Sequence, residues 1–298
     1  MKTVAILGPT ASGKSDLAIA LARRFGAAIL SLDSLSIYKE IDIASAKPSP
    51  QERGDIPHFG IDVIPPDHPF NVALYLDLYR KAAQYCETKG CDLMIVGGTG
   101  FYLKILLEGI SDLPPLKAED RQTLMEWMRD LHGAYERLVR LDPAYARKIA
   151  SSDRYRIEKG LGLYLSTGET PTSYFQSRPP RPLVQDADLY EIAVDKARLW
   201  QRIEKRTDAM LAMGLIDEVA GLEKRYGRNP NPMKAIGIKE VLDYFDGRLT
   251  RDGMRTQIIH HTRQLAKRQK TFNRTQFPPH PTLPREDLYE EISKLLEA

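Results

Sequence analysis

Gly8-Pro9-Thr10-Ala11-Ser12-Gly13-Lys14-Ser15 fits the pattern G-x-x-x-x-G-K-[ST]. In such a loop the backbone N–H groups of residues such as Pro9's neighbours, Thr10, Ala11 and Ser12, turn inward around a phosphate. Gly8 and Gly13 supply the torsions that this turn demands. The loop opens a helix whose first amides and dipole favour an anion. Lys14 reaches the outer phosphates, and the Ser15 hydroxyl is placed to ligate Mg²⁺. A diphosphate carried by ATP, by GTP or by an isoprenoid fits equally well. The apolar run Leu93–Val96 ends in Gly97-Gly98-Thr99, without the acid that organises Mg²⁺ in nucleotide hydrolases. No N-K-x-D guanine signature is present, so a nucleotide-hydrolysing switch is disfavoured.

Asp33 closes a second apolar run, Ala28–Leu32, and opens Asp33-Ser34-Leu35-Ser36-Ile37-Tyr38. Ligands of α/β sheets bind outside the carboxyl ends of the strands, so Asp33 is placed to face whatever the phosphate loop holds. Exposed to water it is ionised at neutral pH and suits a general base. The alternative is that Asp33 only caps the following turn. Gly97-Gly98-Thr99-Gly100 also lies at a strand end. Its glycines would allow close approach of a substrate, and Thr99 offers a hydroxyl.

From Gly253 to Arg285 there is no acidic residue. Arg263, Lys267, Lys270 and Arg274 recur at helical spacing and share one face. Ile258, Ile259, Leu265, Ala266 and Phe272 lie on the other side. A face of one sign is a footprint for a phosphate backbone, with a merely solvated face as the alternative. A second basic cluster, Arg147, Lys148, Arg154, Arg156 and Lys159, is diluted by Asp153 and Glu158.

The elements that position these residues alternate. Strands are expected at Thr3–Leu7, Ala28–Leu32, Asp92–Val96 and Leu189–Val194. Helices are expected at Ser15–Phe25, Leu74–Thr88, Phe101–Leu107, Lys196–Arg225 and Thr250–Phe272. That rhythm argues an α/β fold, a parallel sheet flanked by helices. Residues 118 to about 165 read as helices only, between the proline seams Leu113-Pro114-Pro115 and Pro179–Pro182. The expected organisation is a core in residues 1–114, a helical insertion in 115–180, and completion of the core with basic helices in 181–298. The proline-rich stretch Pro278–Pro284 is expected to run over the surface. The 298 residues are 42% hydrophobic and 28% charged, with a net charge of +3, which reads as globular and not disordered. No apolar run is long enough for a membrane span, so the cytoplasm is the expected location. Cys86 and Cys91 lack a disulfide or metal pattern and read as packing thiols.

Together these segments resemble the tRNA dimethylallyltransferases, also called tRNA isopentenyltransferases. Gly8–Ser15 is similar to that family's phosphate loop, G-P-T-A-[SV]-G-K-[ST], and Asp33–Tyr38 to its D-S-x-Q-x-Y element. Ala44–Pro48 resembles G-T-A-K-P, and Gly97–Tyr102 resembles G-G-T-G-x-Y. Arg206–Val219, Ala235–Glu240 and Ala266–Phe272 resemble three later family segments, the last being A-K-R-Q-x-T-W. Ser36 stands where the family has Gln, Ile238 where it has Tyr, Phe272 where it has Trp, and Asp153-Arg154-Tyr155-Arg156-Ile157 where it has D-P-Q-R-I.

The resemblance implies a P-loop NTPase-like core. It implies transfer of a dimethylallyl group from dimethylallyl diphosphate to the exocyclic amine of an adenosine beside the tRNA anticodon. Asp33 would be the base, Arg206 a further diphosphate contact, and Thr99 a member of the substrate channel. Contacts to tRNA are expected from Asp33, Ser34, Leu35, Ser36, Thr99, Arg121, Tyr155, Arg156, Lys159, Arg263, Lys267, Lys270 and Arg274. Mg²⁺ is the expected cofactor, and a monomer the expected species. The family is often labelled ATP-binding; here the diphosphate would belong to the prenyl donor. Two rivals remain at this level, a small-molecule or nucleoside kinase and a non-catalytic nucleic-acid-binding P-loop module.

Overall fold

The computed structural model describes residues 1–111 and 113–298. Its centre is a six-stranded sheet: β1 (Thr3–Leu7), β2 (Ala28–Ser31), β3 (His58–Phe59), β4 (Leu93–Gly97), β5 (Asp188–Ile192) and β6 (Thr282–Leu283). All neighbouring pairs are parallel, in the order β3-β2-β4-β1-β5-β6. The whole of β1 and β4 is buried. That is why both read as unbroken apolar runs and do not alternate. Parallel pairing sets the carboxyl ends of β1, β2, β4 and β5 along one edge of the sheet, where ligands of such folds bind.

The Lys14–Phe25 helix begins at Gly13 (φ +93°) and stops at Gly26 (φ +67°), whose N–H donates to the Ala22 carbonyl. Its Leu17, Ala18 and Leu21 pack with Val4, Ile6, Met94 and Val96. The Val72–Lys89 helix starts where Asn71 Oδ1 accepts the Leu74 N–H and ends at Gly90. Cys86 on it is buried, and neither cysteine is in a disulfide.

Two expectations are corrected. The helical pattern over Lys196–Arg225 is two helices, Lys196–Ala212 and Leu215–Tyr226. Gly214 (φ +99°) turns the chain between them, and the apolar stripe resumes beyond the turn at Leu215, Val219 and Leu222. The proline-rich stretch does not merely cross the surface. Thr282 and Leu283 form the edge strand beside β5, with Glu191 N–H donating to Pro281 O (2.9 Å) and Ala193 N–H to Leu283 O (2.8 Å). Prolines are tolerated at such an edge because one side of the strand lacks a partner. The Arg285–Glu297 helix follows and buries Leu288 and Ile292 against the Lys14–Phe25 helix and the sheet.

By its contacts the chain forms two compact units, residues 1–107 with 184–298, and residues 108–183. The second unit is helical: Ala118–Trp127, Leu131–Leu141, Pro143–Ala146, Arg154–Thr167 and Pro171–Ser177. Its own core joins Leu124, Met128, Ala134, Leu138, Ile157 and Leu161. Buried Asp142 ties three of its segments by accepting from Tyr145 N–H (2.9 Å), Thr172 N–H (2.6 Å) and the Thr172 hydroxyl (2.8 Å). Among the described residues no helix is long and apolar enough to cross a membrane.

Candidate active site

The phosphate loop bridges β1 and the Lys14–Phe25 helix. Gly8 (φ +152°), Ala11 (φ +63°) and Gly13 (φ +93°) turn its backbone. Only the two glycines adopt this region without strain, so Ala11 is held there by its surroundings. The Ser12 hydroxyl is buried with no hydrogen-bond partner, an unsatisfied group of the kind that an anion's oxygen completes. Lys14 Nζ donates to the Pro9 carbonyl at 2.9 Å.

Side chains distant in sequence converge on this loop. Arg206, on the Lys196–Ala212 helix, donates to Thr10 Oγ1 and to the Ser45 carbonyl, each at 3.4 Å. Arg202, one turn earlier, donates to the Ser12 carbonyl at 3.0 Å. Burial, and after it the neighbouring Arg206 guanidinium, brings the Lys14 ammonium down to about 8, while the Asp33 and Glu191 carboxylates pull the other way. Burial also lowers Arg206 from its ordinary value, opposed by Asp33 and Asp16. Two cations held together and partly stripped of water favour an anion between them.

Asp33 lies just past β2. Its Oδ1 accepts the N–H groups of Leu35 (2.8 Å) and Ser36 (3.1 Å). It therefore does cap the turn, yet no described residue bonds to Oδ2. One oxygen thus fixes the carboxylate through the turn, while Oδ2 takes no part in that cap. In the same segment Ser34 is exposed, Leu35 half-buried and Ser36 buried.

Thr99 is half-buried beyond β4 and donates its N–H to the Leu32 carbonyl at 3.2 Å. That bond ties the turn to the end of β2, immediately before Asp33. The glycines around Thr99 do not clear space for a substrate, as the sequence reading had it. A Cβ on Gly97 would lie 2.5 Å from Leu32 Cβ, one on Gly98 2.3 Å from Gln269 Nε2, and one on Gly100 2.8 Å from the Phe272 ring. They admit the end of β2 and the basic helix. Tyr102 stacks near Tyr75, ring centres 4.7 Å apart, and burial pushes its phenol up to about 12.

The basic helix, Arg251–Gln276, does not present one free face. Arg263 is paired with Glu204 and lies over the Trp200 ring. Lys267 is exposed, its ammonium 6.0 Å from the same ring. Lys270 and Arg274 are exposed and line a cavity of about 940 Å³ together with Ser12, Arg198, Arg202 and Arg285. Lys270, Arg274 and Arg285 form no ion pair with any described residue. The expected face is thus divided, because the acid that neutralises Arg263 comes from a neighbouring helix. In the helical unit Arg121, Tyr155, Arg156 and Lys159 are all exposed. Arg121 and Lys159 line a cavity of about 740 Å³ with Arg129, Arg154 and an apolar floor of Leu124, Met128 and Leu163.

Ser15 is exposed in the first turn after the loop, beside Asp16. Among the described residues no three His, Cys, Asp or Glu side chains gather to hold a metal. This donor set suits Mg²⁺ held chiefly by diphosphate oxygens and water with one protein hydroxyl, the usual arrangement at phosphate sites.

Sequence reasoning assigned no role to Arg202, Gln269, Glu191 or Asn273, although Gln269 lies in the family-like segment Ala266–Phe272. Gln269 Oε1 accepts the Thr10 N–H at 2.8 Å. Asn273, fully buried, donates to Glu191 at 3.0 Å. A polar pair enclosed between β5 and a helix leaves no local signature. The one available hint was a glutamate inside an apolar strand.

The sheet order, the phosphate loop and its place after β1 make this a P-loop NTPase-like protein. Within that class the chain belongs to the IPP transferase family, whose model matches residues 36–276. The isopentenyl transferase model matches residues 1–56. The tRNA dimethylallyltransferase of Sulfurimonas denitrificans is 48% identical over 296 residues, covering 99% of this chain and 100% of that protein. That of Nautilia profundicola is 50% identical over 289 residues, covering 97% and 98%. The solved tRNA isopentenylpyrophosphate transferase of Bacillus halodurans superposes with a TM-score of 0.72 at 28% identity, over 99% of this chain and 97% of that one. A eukaryotic dimethylallyltransferase, described as acting on tRNA, superposes with a TM-score of 0.82 at 28% identity, over 91% of this chain and 70% of that one.

Proposed function

We propose that this chain transfers the dimethylallyl group of dimethylallyl diphosphate to the exocyclic amine of an adenosine beside the tRNA anticodon, releasing diphosphate. The enzyme is a tRNA prenyltransferase, and neither a kinase nor a non-catalytic module is favoured by its relatives. The observation that carries the mechanism is the convergence of Lys14 and Arg206 on the phosphate loop, with Asp33 electrostatically coupled to both.

An adenine amine is a weak nucleophile because its lone pair is delocalised into the ring. It attacks the allylic carbon as the carbon–oxygen bond to diphosphate breaks. Lys14, Arg206 and the loop amides take up the charge developing on the leaving group. The amine nitrogen loses a proton as its bond to carbon forms, and Asp33 Oδ2 receives it. When bound at Ser15, Mg²⁺ supplies further charge neutralisation to the diphosphate. The target base leaves its stack to reach the site, past Ser34 and Thr99. Contacts to tRNA phosphates fall to the exposed cations of the basic helix and to Arg121, Arg156 and Lys159, with Tyr155 available to stack. We take the acting species to be a monomer, working in the cytoplasm where its tRNA is made.

The test is purified protein with labelled dimethylallyl diphosphate, Mg²⁺ and unmodified tRNA. Label entering the adenosine is the expected result. Turnover of ATP with no prenyl donor, or tRNA binding without transfer, would overturn the reading.

A further inference from the structure

Glu218 lies in the first turn of the Leu215–Tyr226 helix. Its Oε2 accepts the N–H groups of Asp42 (2.9 Å) and Ile43 (2.7 Å), and its Oε1 accepts that of Ala44 (2.9 Å). One carboxylate thus gathers three successive backbone donors from a segment more than 170 residues away in sequence. Bonds from a carboxylate are among the stronger hydrogen bonds.

The segment so held runs straight into the site. Ser45 is buried, and its hydroxyl donates to the Ile41 carbonyl at 2.6 Å. Its own carbonyl accepts from Arg206 Nη2 at 3.4 Å, while Nη1 of the same guanidinium donates to Thr10 of the phosphate loop. Further along, Lys47 Nζ is enclosed by the Tyr38 carbonyl (3.0 Å) and the carboxylates of Asp62 (2.5 Å) and Asp42 (2.6 Å). At the far end of the Leu215–Tyr226 helix, Tyr226 donates to Glu40 at 2.8 Å, and Arg225 pairs with the same acid. The helix therefore grips the 40–44 segment at both ends.

We propose that Glu218 is a positioning residue for the prenyl donor. By fixing residues 42–44 it sets the Ser45 carbonyl that aims the Arg206 guanidinium at the phosphate loop. The inference rests on the reading of Arg206 as a diphosphate contact. Glu218 touches no substrate and acts only through this backbone segment. Gly214, immediately before the helix, lies in the left-handed region, which glycine adopts without strain.

The experiment is a double-mutant cycle between Glu218→Ala and Arg206→Ala. Its readouts are KM for dimethylallyl diphosphate, inhibition by inorganic diphosphate, and tRNA affinity in the absence of donor. Glu218→Ala is expected to raise the donor KM and the diphosphate inhibition constant by about 10–100-fold, the scale of a small misplacement of a binding group. Its tRNA affinity should stay within about twofold, which a general loss of structure would not allow. In the Arg206→Ala background the same change should add little, since coupled groups are not additive. Glu218→Gln keeps one acceptor oxygen and should recover part of the loss, and it serves if the alanine variant does not fold. A silent or fully additive Glu218 change beside a damaging Arg206→Ala overturns this inference alone. An Arg206→Ala enzyme with unchanged donor KM overturns the functional reading, and this inference with it.

Discussion

Gln269 and Thr10 are joined across the site: the Thr10 N–H donates to Gln269 Oε1 at 2.8 Å. The same side chain fills the space over Gly98, where a Cβ would come within 2.3 Å of its nitrogen. One residue of the basic helix therefore locks the phosphate loop to the Thr99 turn. Gln269→Ala is expected to weaken donor binding by about tenfold, the loss of one hydrogen bond to the loop. It should leave tRNA binding nearly unchanged. Donor inhibition kinetics and tRNA titrations on the same preparation check both halves.

The glycines of that turn separate by what they face. Gly97→Ala must displace Leu32, including its backbone, so it should destabilise the protein by about 1–3 kcal/mol. Gly98→Ala meets only the end of the Gln269 side chain. It should cost less stability and reproduce the Gln269→Ala defect in donor binding. Denaturant melts beside donor kinetics distinguish the pair, and equal stabilities would contradict the assignment.

Asp33 has two jobs that two substitutions pull apart. Asp33→Asn keeps an oxygen able to accept from Leu35 and Ser36, so stability should hold while turnover falls by roughly 10²–10⁴-fold. Asp33→Ala should lose the same turnover and, in addition, about 1 kcal/mol of stability with the turn cap. Single-turnover rates at saturating tRNA provide the measurement, and near-native rates in the asparagine enzyme would remove Asp33 as the base.

Lys14 is costly to keep charged without an anion beside it, since burial and Arg206 bring it down to about 8. Between about 8 and its ordinary 10.5 the unfolded chain binds more protons than the folded one, so stability rises with pH across that window. Below it the full penalty applies. Lys14→Met should accordingly raise Tm by about 2–5 °C at pH 7, with the gain shrinking as pH rises through the window. The same variant should lose donor binding at every pH. In the native enzyme donor affinity should fall as pH rises through about 8, whereas Lys14→Arg should not show that fall.

Replacing Lys267 and Lys270 with Ala should weaken tRNA binding and flatten its salt dependence. Each lost phosphate contact reduces the slope of log affinity against log salt by about 0.7–0.9. Arg263→Ala should leave the slope unchanged, because Glu204 already neutralises that guanidinium. Filter binding at several salt concentrations tests the contrast, and equal slopes for all variants would mean that this helix is only solvated.

What the sequence determined by itself was local. The phosphate loop, β1, β2, β4 and β5 were legible because buried parallel strands read as apolar runs and glycines mark where they and their helices end. The helix starting after Gly13 and stopping at Gly26 needed nothing beyond its own residues. Tertiary structure decided what depends on a distant partner. β3 and β6, each only two residues long, exist because longer strands offer them an edge. Arg263 lost its place on the free basic face to an acid on another helix. Arg202 lies in no motif, and the family-like segments that contain Gln269 and Glu218 do not say what those side chains hold, since their partners are backbone groups some 170 to 260 residues away. A chain announces which residues can bind phosphate by spacing alone. Which side chains then hold that loop in place is settled by unpaired donors and acceptors that must find partners once the core closes.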